Sequence, residues 1–236
     1  MTGSSERIDQ EWYDTSGYFE SGTSHLLDPN SRFQRYRVRM VESLAAPQPD
    51  DDVVDFGSGW GTFELALAPK VRSILGIDFS ARSVELSRET LARHGAENVR
   101  FLQADAGDTD LEPDTYDLVI AADLFEHLYP EDSIRVAREA FRILKPGGRF
   151  AVWTPHRGHI LEVLKNNRIL LTPDPAHVGY KSMARMSELC TEAGFRIERA
   201  YYAESHLPGL SLVERALGWA IPLLRRRIAI RAVKPV

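Results

Sequence analysis

The sequence predicts an α/β protein, with a mainly parallel β-sheet covered by helices on both faces and right-handed crossovers between strands. Three observations predict it. Short apolar runs alternate with helix-length segments from Val53 to Val233, the pattern of stacked strand–helix units. The first run stops at a glycine-rich turn of the kind that leads from strand into helix. The 236 residues, 43% hydrophobic and 27% charged, suffice for one large domain with a sizeable core.

Asn30 to Ala46 reads as a basic helix, ended by the turn from Pro47 to Asp52. Val53 to Phe56 is a short buried strand. Thr62 to Ala68 is helical and closes at Pro69, and Ser73 to Ile77 is the second strand. Ser80 caps a helix that runs to His94. Val99 to Gln103 and Asp117 to Ala121 are strands three and four. Ile134, Ala137, Phe141 and Leu144 recur at helical spacing in a helix from about Glu131 to Leu144. Arg149 to Trp153 is the fifth strand. Ser182 to Ala193 is a helix stopped by Gly194, and Phe195 to Tyr202 and Ile228 to Val233 are the last strands.

Composition excludes several classes. The 29 basic and 34 acidic side chains give a net charge of −5, which supplies no general field for nucleic acid or anionic lipid. A single cysteine, Cys190, rules out a disulfide framework and a cysteine-rich zinc site. The amino terminus lacks the apolar stretch of a signal peptide, and no run approaches the ~20 residues that span a bilayer. A cytoplasmic protein is expected.

In such a sheet, ligands bind at the carboxyl ends of the strands, near the point where strand order reverses. Gly57, Gly59 and Gly61 follow strand one; such a loop turns sharply and lets a ligand approach the backbone, although a tight turn without a ligand looks the same. The dinucleotide fingerprint would need glycine where Thr62 stands. Asp78 ends strand two, where a carboxylate can accept from both hydroxyls of a ribose or merely favour a helix start. Asp105 ends strand three, suited to an exocyclic amino group or simply to solvent.

The stretches Asp55-Phe56-Gly57-Ser58-Gly59-Trp60-Gly61, Gly76-Ile77-Asp78-Phe79-Ser80, Gln103-Ala104-Asp105-Ala106, Tyr116-Asp117-Leu118-Val119 and Leu144-Lys145-Pro146-Gly147-Gly148 occur in this order. The series resembles the successive motifs of class I S-adenosylmethionine-dependent methyltransferases. The resemblance implies a Rossmann-like, seven-stranded sheet whose last strand, Ile228 to Val233, runs antiparallel beside Phe195 to Tyr202. It also implies S-adenosylmethionine as methyl donor. Its methionine part would lie on Gly57 and Gly59, its ribose at Asp78 and its adenine at Asp105, with Asp55, Ser58, Phe79, Ser80 and Ala106 also in the donor site. Tyr18 and Ala122 complete that site, and register against the family favours Arg37 for the donor carboxylate. The other arginines of that helix, Arg32, Arg35 and Arg39, read as a solvated face.

His127, His156, His159 and His177 follow strands four and five, on the expected ligand edge. His127 and His177 are the candidate bases. Asp123-Leu124-Phe125-Glu126-His127 resembles a stretch of ubiquinone-biosynthesis O-methyltransferases in which such residues bind a divalent cation; a hydrogen-bonding role for Glu126 is preferred here and no metal is assigned. Thr154-Pro155-His156 and Asp174-Pro175-Ala176-His177-Val178-Gly179 add to that resemblance. Residues 156–181 read as a long loop and a substrate lid. Trp12, Tyr13, Tyr18 and Phe19 should fold over the cleft. The apolar stretch Pro208 to Leu224, followed by Arg225, Arg226 and Arg227, reads as a helix packed on the domain or used in a homodimer, in preference to a membrane contact.

The sequence thus describes a single methyltransferase domain over 1–236, with a helical cap at 1–46 and inserted lid or helix elements at 156–181 and 206–227. Its acceptor is expected to be a small molecule, methylated at a hydroxyl oxygen, with the amine of an amino sugar or peptide as the alternative. A nicotinamide-dependent oxidoreductase and a non-catalytic S-adenosylmethionine binder are the rival classes; no nucleic-acid partner is expected.

Overall fold

Seven strands form one sheet in the computed structural model, which describes residues 7–19, 28, 31–169 and 172–236. They are β1 (Asp52–Phe56), β2 (Ser73–Asp78), β3 (Val99–Gln103), β4 (Tyr116–Ala122), β5 (Leu144–Pro155), β6 (Arg196–Ala203) and β7 (Arg227–Val233). The order across the sheet is β3-β2-β1-β4-β5-β7-β6. Every pairing is parallel except those of β7, which runs antiparallel to both β5 and β6. The expected Rossmann-like sheet with its reversed last strand is therefore present.

Successive residues of each strand enter opposite cores. Val53, Ile74, Leu118 and Trp153 face α2 (Arg32–Ala45) and α3 (Thr62–Leu67), meeting Leu44, Phe63 and Leu67. Their neighbours Val54, Val119 and Phe150 face α5 (Pro130–Ile143) and α7 (Met183–Glu192), meeting Val136, Ile143 and Leu189. Burial on both sides explains why these strands read as unbroken apolar runs. Each such side chain stabilises the fold by about 1.5–3 kcal/mol relative to exposure. At the other end of the sheet Lys145 donates to Asp117 at 2.8 Å, an ion pair far from the strands' carboxyl ends.

Four details depart from the sequence reading. The amino-terminal cap includes a short helix, α1 (Gln10–Thr15), and residues 1–6, 20–27 and 29–30 of that cap lie outside the described residues. Strand β5 begins at Leu144: Leu144 pairs with Tyr116 and Arg149 with Leu118, so Lys145 to Gly148 bulge from the ladder. The lid contains a helix, α6 (Ile160–Asn166). The stretch after β6 is α-helical over α8 (Leu210–Leu217) with a 3-10 turn at Pro222–Leu224, and its apolar side chains are not packed: Leu212 is 65% and Trp219, beyond the helix, 80% exposed. What anchors α8 is polar, for the buried Glu214 accepts from His159 Nε2 at 3.0 Å and from the Ser205 amide. No helix among the described residues is long and apolar enough to cross a membrane.

Candidate active site

Strand β1 bonds to β2 on one side and β4 on the other, so the order reverses at its carboxyl end. The glycine loop sits there. Gly57, Gly59 and Gly61 take φ of 80°, 55° and 73°, a region that side chains resist. The amides of Gly57 and Ser58 donate to the Ile77 carbonyl at 2.8 and 3.0 Å. The Ser87 hydroxyl, on α4 (Ala81–His94), donates to the Gly59 carbonyl at 2.7 Å, and Ser83 Oγ lies 2.9 Å from the same carbonyl oxygen. The loop is thus strapped to β2 and α4, and a cleft of about 490 Å³ opens beside it.

Asp78 ends β2 at the cleft wall. Its Oδ2 accepts from the Gly59 amide at 3.1 Å and the Ser83 hydroxyl at 2.7 Å, and Oδ1 from the Ser80 amide at 3.0 Å. A carboxylate offers about four acceptor positions, so these bonds leave room for one ribose hydroxyl rather than two. Burial raises the Asp78 carboxyl, against these three hydrogen bonds. Phe79 and Ala106 line the cleft, as does Ala122. Asp105 stands at the rim, its Oδ1 accepting from the Gly107 amide at 2.7 Å and its Oδ2 from Arg135 at 2.9 Å. Ser80 is fully buried and caps α4, accepting from the Ser83 amide at 3.2 Å and donating to Asp14 at 2.6 Å.

Arg37 reaches the cleft from α2, but a protein carboxylate already meets it. Its Nε and Nη2 donate to Asp123 Oδ2 at 2.8 and 2.7 Å, and its Nη1 to Gln34 at 2.6 Å. Arg227, at the start of β7, donates to the other Asp123 oxygen. Burial would raise the Asp123 carboxyl, but the charges of Arg227 and Arg37 outweigh it and hold it far below the carboxylate range. Asp123 itself has φ of 55°, which aspartate tolerates better than most residues. Arg226 and Arg227 are therefore parts of the cleft wall rather than helix-end arginines. Asp55 lies behind the wall, fully buried with Glu64, and burial pushes both carboxyls up, Asp55 to about 8.

Across the cleft stand His127 and His177, with ring centroids 4.8 Å apart. Burial lowers both, His127 to about 4, so both are neutral near pH 7. His127 Nδ1 lies 3.0 Å from the Tyr13 hydroxyl and 3.1 Å from the Ala176 carbonyl. Tyr18, which also lines the cleft, donates to Asp174 at 3.2 Å. Tyr13, Tyr18 and Phe19 form an aromatic wall with Ala176 and Leu86. The lid is clamped by Lys181, whose ammonium donates to the carbonyls of Phe125 and Leu128 at 2.8 and 2.7 Å.

The other two histidines of the ligand edge serve the scaffold. His156 Nδ1 meets the Arg225 carbonyl at 3.0 Å, and the buried His159 caps α6 through Nδ1. One ligand atom each from Glu126, His127 and His177 fall within 4.8 Å of one another. Burial, then the Asp123 charge, pushes the Glu126 carboxyl up to about 8. Glu126 instead accepts from the Thr154 hydroxyl at 2.8 Å, and Asp123 is taken up by its arginines.

Residues 53–148 match the family described as methyltransferase domain. The chain is 29% identical over 179 residues to a "probable S-adenosylmethionine-dependent methyltransferase" of Mycolicibacterium smegmatis, covering 73% of this chain and 62% of that one. It is 29% identical over 184 residues to a ubiquinone biosynthesis O-methyltransferase of Thiobacillus denitrificans, covering 72% and 78%. Phosphoethanolamine N-methyltransferase 2 of Haemonchus contortus, solved with S-adenosylhomocysteine, has the same fold, with a TM-score of 0.74 at 17% identity over 96% of this chain and 60% of that one. Residues 53–148 thus resemble a methyltransferase domain, and the chain shares the Rossmann-like fold of this solved methyltransferase. It spans less than two thirds of the length of the Mycolicibacterium relative.

Proposed function

We propose that the chain transfers the methyl group of S-adenosylmethionine to a small-molecule acceptor, at a hydroxyl oxygen. The observation that carries this reading is the pair of neutral imidazoles, His127 and His177, in the cleft that the glycine loop borders. A neutral imidazole can take the proton that a hydroxyl must give up. When bound, the sulfonium donor supplies an electrophilic methyl: its C–S bond breaks, with the pair passing to sulfur, as a C–O bond forms from an oxygen pair. The protein's own work is then alignment and exclusion of water.

The residues present fit such a donor. The left-handed Gly59 has no atom closer to an added Cβ than the Gly57 carbonyl oxygen at 4.0 Å, so backbone is open to a ligand there. Gly57, Ser58 and Gly59 would carry the methionine part, Asp78 the ribose, and Asp105 with Ala106 the adenine. Arg37 would hold the donor carboxylate with the donors that Asp123 and Gln34 leave. Asp55 and Ser80 would act from behind the wall, by shaping the loop and the start of α4.

The aromatic wall favours a second reading. Tyr13 and Tyr18, with ring centroids 5.3 Å apart, suit a methylammonium group through cation–π attraction, which fits an amine acceptor. Incubating the chain and S-adenosylmethionine with phenols, sugars and amines, and detecting methylated products by mass, separates the two. Products from amines alone would overturn the hydroxyl reading. Binding of the donor without release of S-adenosylhomocysteine from any mixture would point to a non-catalytic binder.

The same reading takes residues 1–236 as one domain, with 1–46 as the cap and 156–181 and 206–227 as lid and helix elements. It places the enzyme in the cytoplasm, acting without nucleic acid. The exposed face of α8 is the candidate homodimer contact, in preference to a membrane.

A further inference from the structure

His177 does not meet the cleft alone. Its Nδ1 lies 2.7 Å from the Tyr180 hydroxyl, and that hydroxyl donates to Glu162 Oε2 at 2.8 Å. A phenol has one proton to give. Since Glu162 receives it, the Tyr180 oxygen can only accept from the ring, and the ring proton must sit on Nδ1. Glu162 stays a carboxylate in this buried place because Arg226 lies 3.2 Å and Lys165 3.8 Å from its Oε1. The lone pair of His177 is thereby left on Nε2, which stands 3.6 Å from Asp174 Oδ2.

His127 has no such arrangement. Its Nδ1 faces a hydroxyl and a carbonyl at nearly equal distance, so either tautomer finds a partner. We infer that Glu162 and Tyr180 are positioning residues that lock His177 in the Nδ1–H tautomer and present its bare Nε2 to the cleft, making His177 the base. This rests on the methyl-transfer reading for its use, though not for its geometry. The acceptor proton passes to Nε2, and Asp174 stabilises the imidazolium so formed until the proton leaves to water. A carboxylate held through a hydroxyl thus does for this ring what a directly bonded carboxylate does in other nucleophile–base pairs.

The test is made first on the ligand-free protein, with 15N-labelled histidine. Ring-nitrogen shifts of His177 should show Nδ1 protonated and Nε2 bare. In Tyr180→Phe the ring loses its acceptor, and the proton should move to Nε2, towards Asp174. Nε2 protonation in the unsubstituted protein, or spectra unchanged by Tyr180→Phe, would overturn the assignment. With an acceptor found by the product screen, Tyr180→Phe should lower kcat about tenfold to a hundredfold while KM for the donor stays within about twofold. Combining it with His177→Ala should cost nothing beyond His177→Ala alone. Full turnover in Tyr180→Phe would remove the positioning role. The expected tautomer in a protein that methylates nothing would sink the methyl-transfer reading and leave the locking of His177 standing.

Discussion

At the scale of single residues, Asp78 concentrates the donor-site argument. It is buried, already holds the glycine loop to α4, and keeps one acceptor position for a ligand hydroxyl. Asp78→Ala should weaken binding of S-adenosylhomocysteine by about 1.5–3 kcal/mol, the loss of charge-assisted hydrogen bonds, as read by titration calorimetry. Unchanged affinity would defeat the ribose assignment. Asp78 was legible in the sequence because it ends a strand. The work of Asp123 was not: its second arginine, Arg227, is 104 positions away, and only the sheet order brings it near. The sequence likewise showed His177 but not Glu162 or Tyr180, whose meaning depends on how α6 folds back over the lid.

At the scale of elements, the sheet was legible nearly strand by strand because its apolar runs are short, buried on both faces and bounded by loop residues. The misses share a cause. Helices α1 and α6 have six and seven residues, too few for periodicity to speak. The apolar face of α8 suggested packing, yet the element is held by Glu214, a single buried charge that no hydrophobic pattern reveals. Gly76 shows how closely the β1–α3–β2 unit is fitted. A Cβ there would fall on Glu64 Oε1 and 2.6 Å from Phe101 Cδ1. Gly76→Ala should destabilise the protein by about 1–3 kcal/mol through overpacking, measured by denaturant unfolding. A neutral result would mean that Glu64 and Phe101 have room to move.

At the scale of the whole molecule, buried acids and histidines give stability two opposed pH dependences. Burial pushes Asp55 and Glu126 up to about 8, so the folded chain keeps protons that the unfolded chain gives up near pH 4. Stability from these groups is complete below about pH 4 and is lost as pH rises towards about 8. Burial lowers His127 and His159 to about 4, so these rings remove stability as pH falls below about 6.5. Above that point the acids dominate until about pH 8, where Lys181, lowered by burial to about 8, begins to act in the opposite sense. Thermal stability should fall from about pH 6.5 to about 8, by up to about 1.4 kcal/mol per pH unit for each retained proton. Asp55→Asn should flatten that decline; an equally steep one would show that Asp55 holds no proton in the folded chain.

The placing of β7 between β5 and β6 also orders events in time. Among the described residues strand β6 bonds only to β7, which leaves the ribosome more than twenty residues later. Until then β6 has no strand to pair with, and the cleft lacks Arg226 and Arg227. The cleft is therefore completed only once β7 has been made, and a nascent chain with five strands in register would still lack one of its walls.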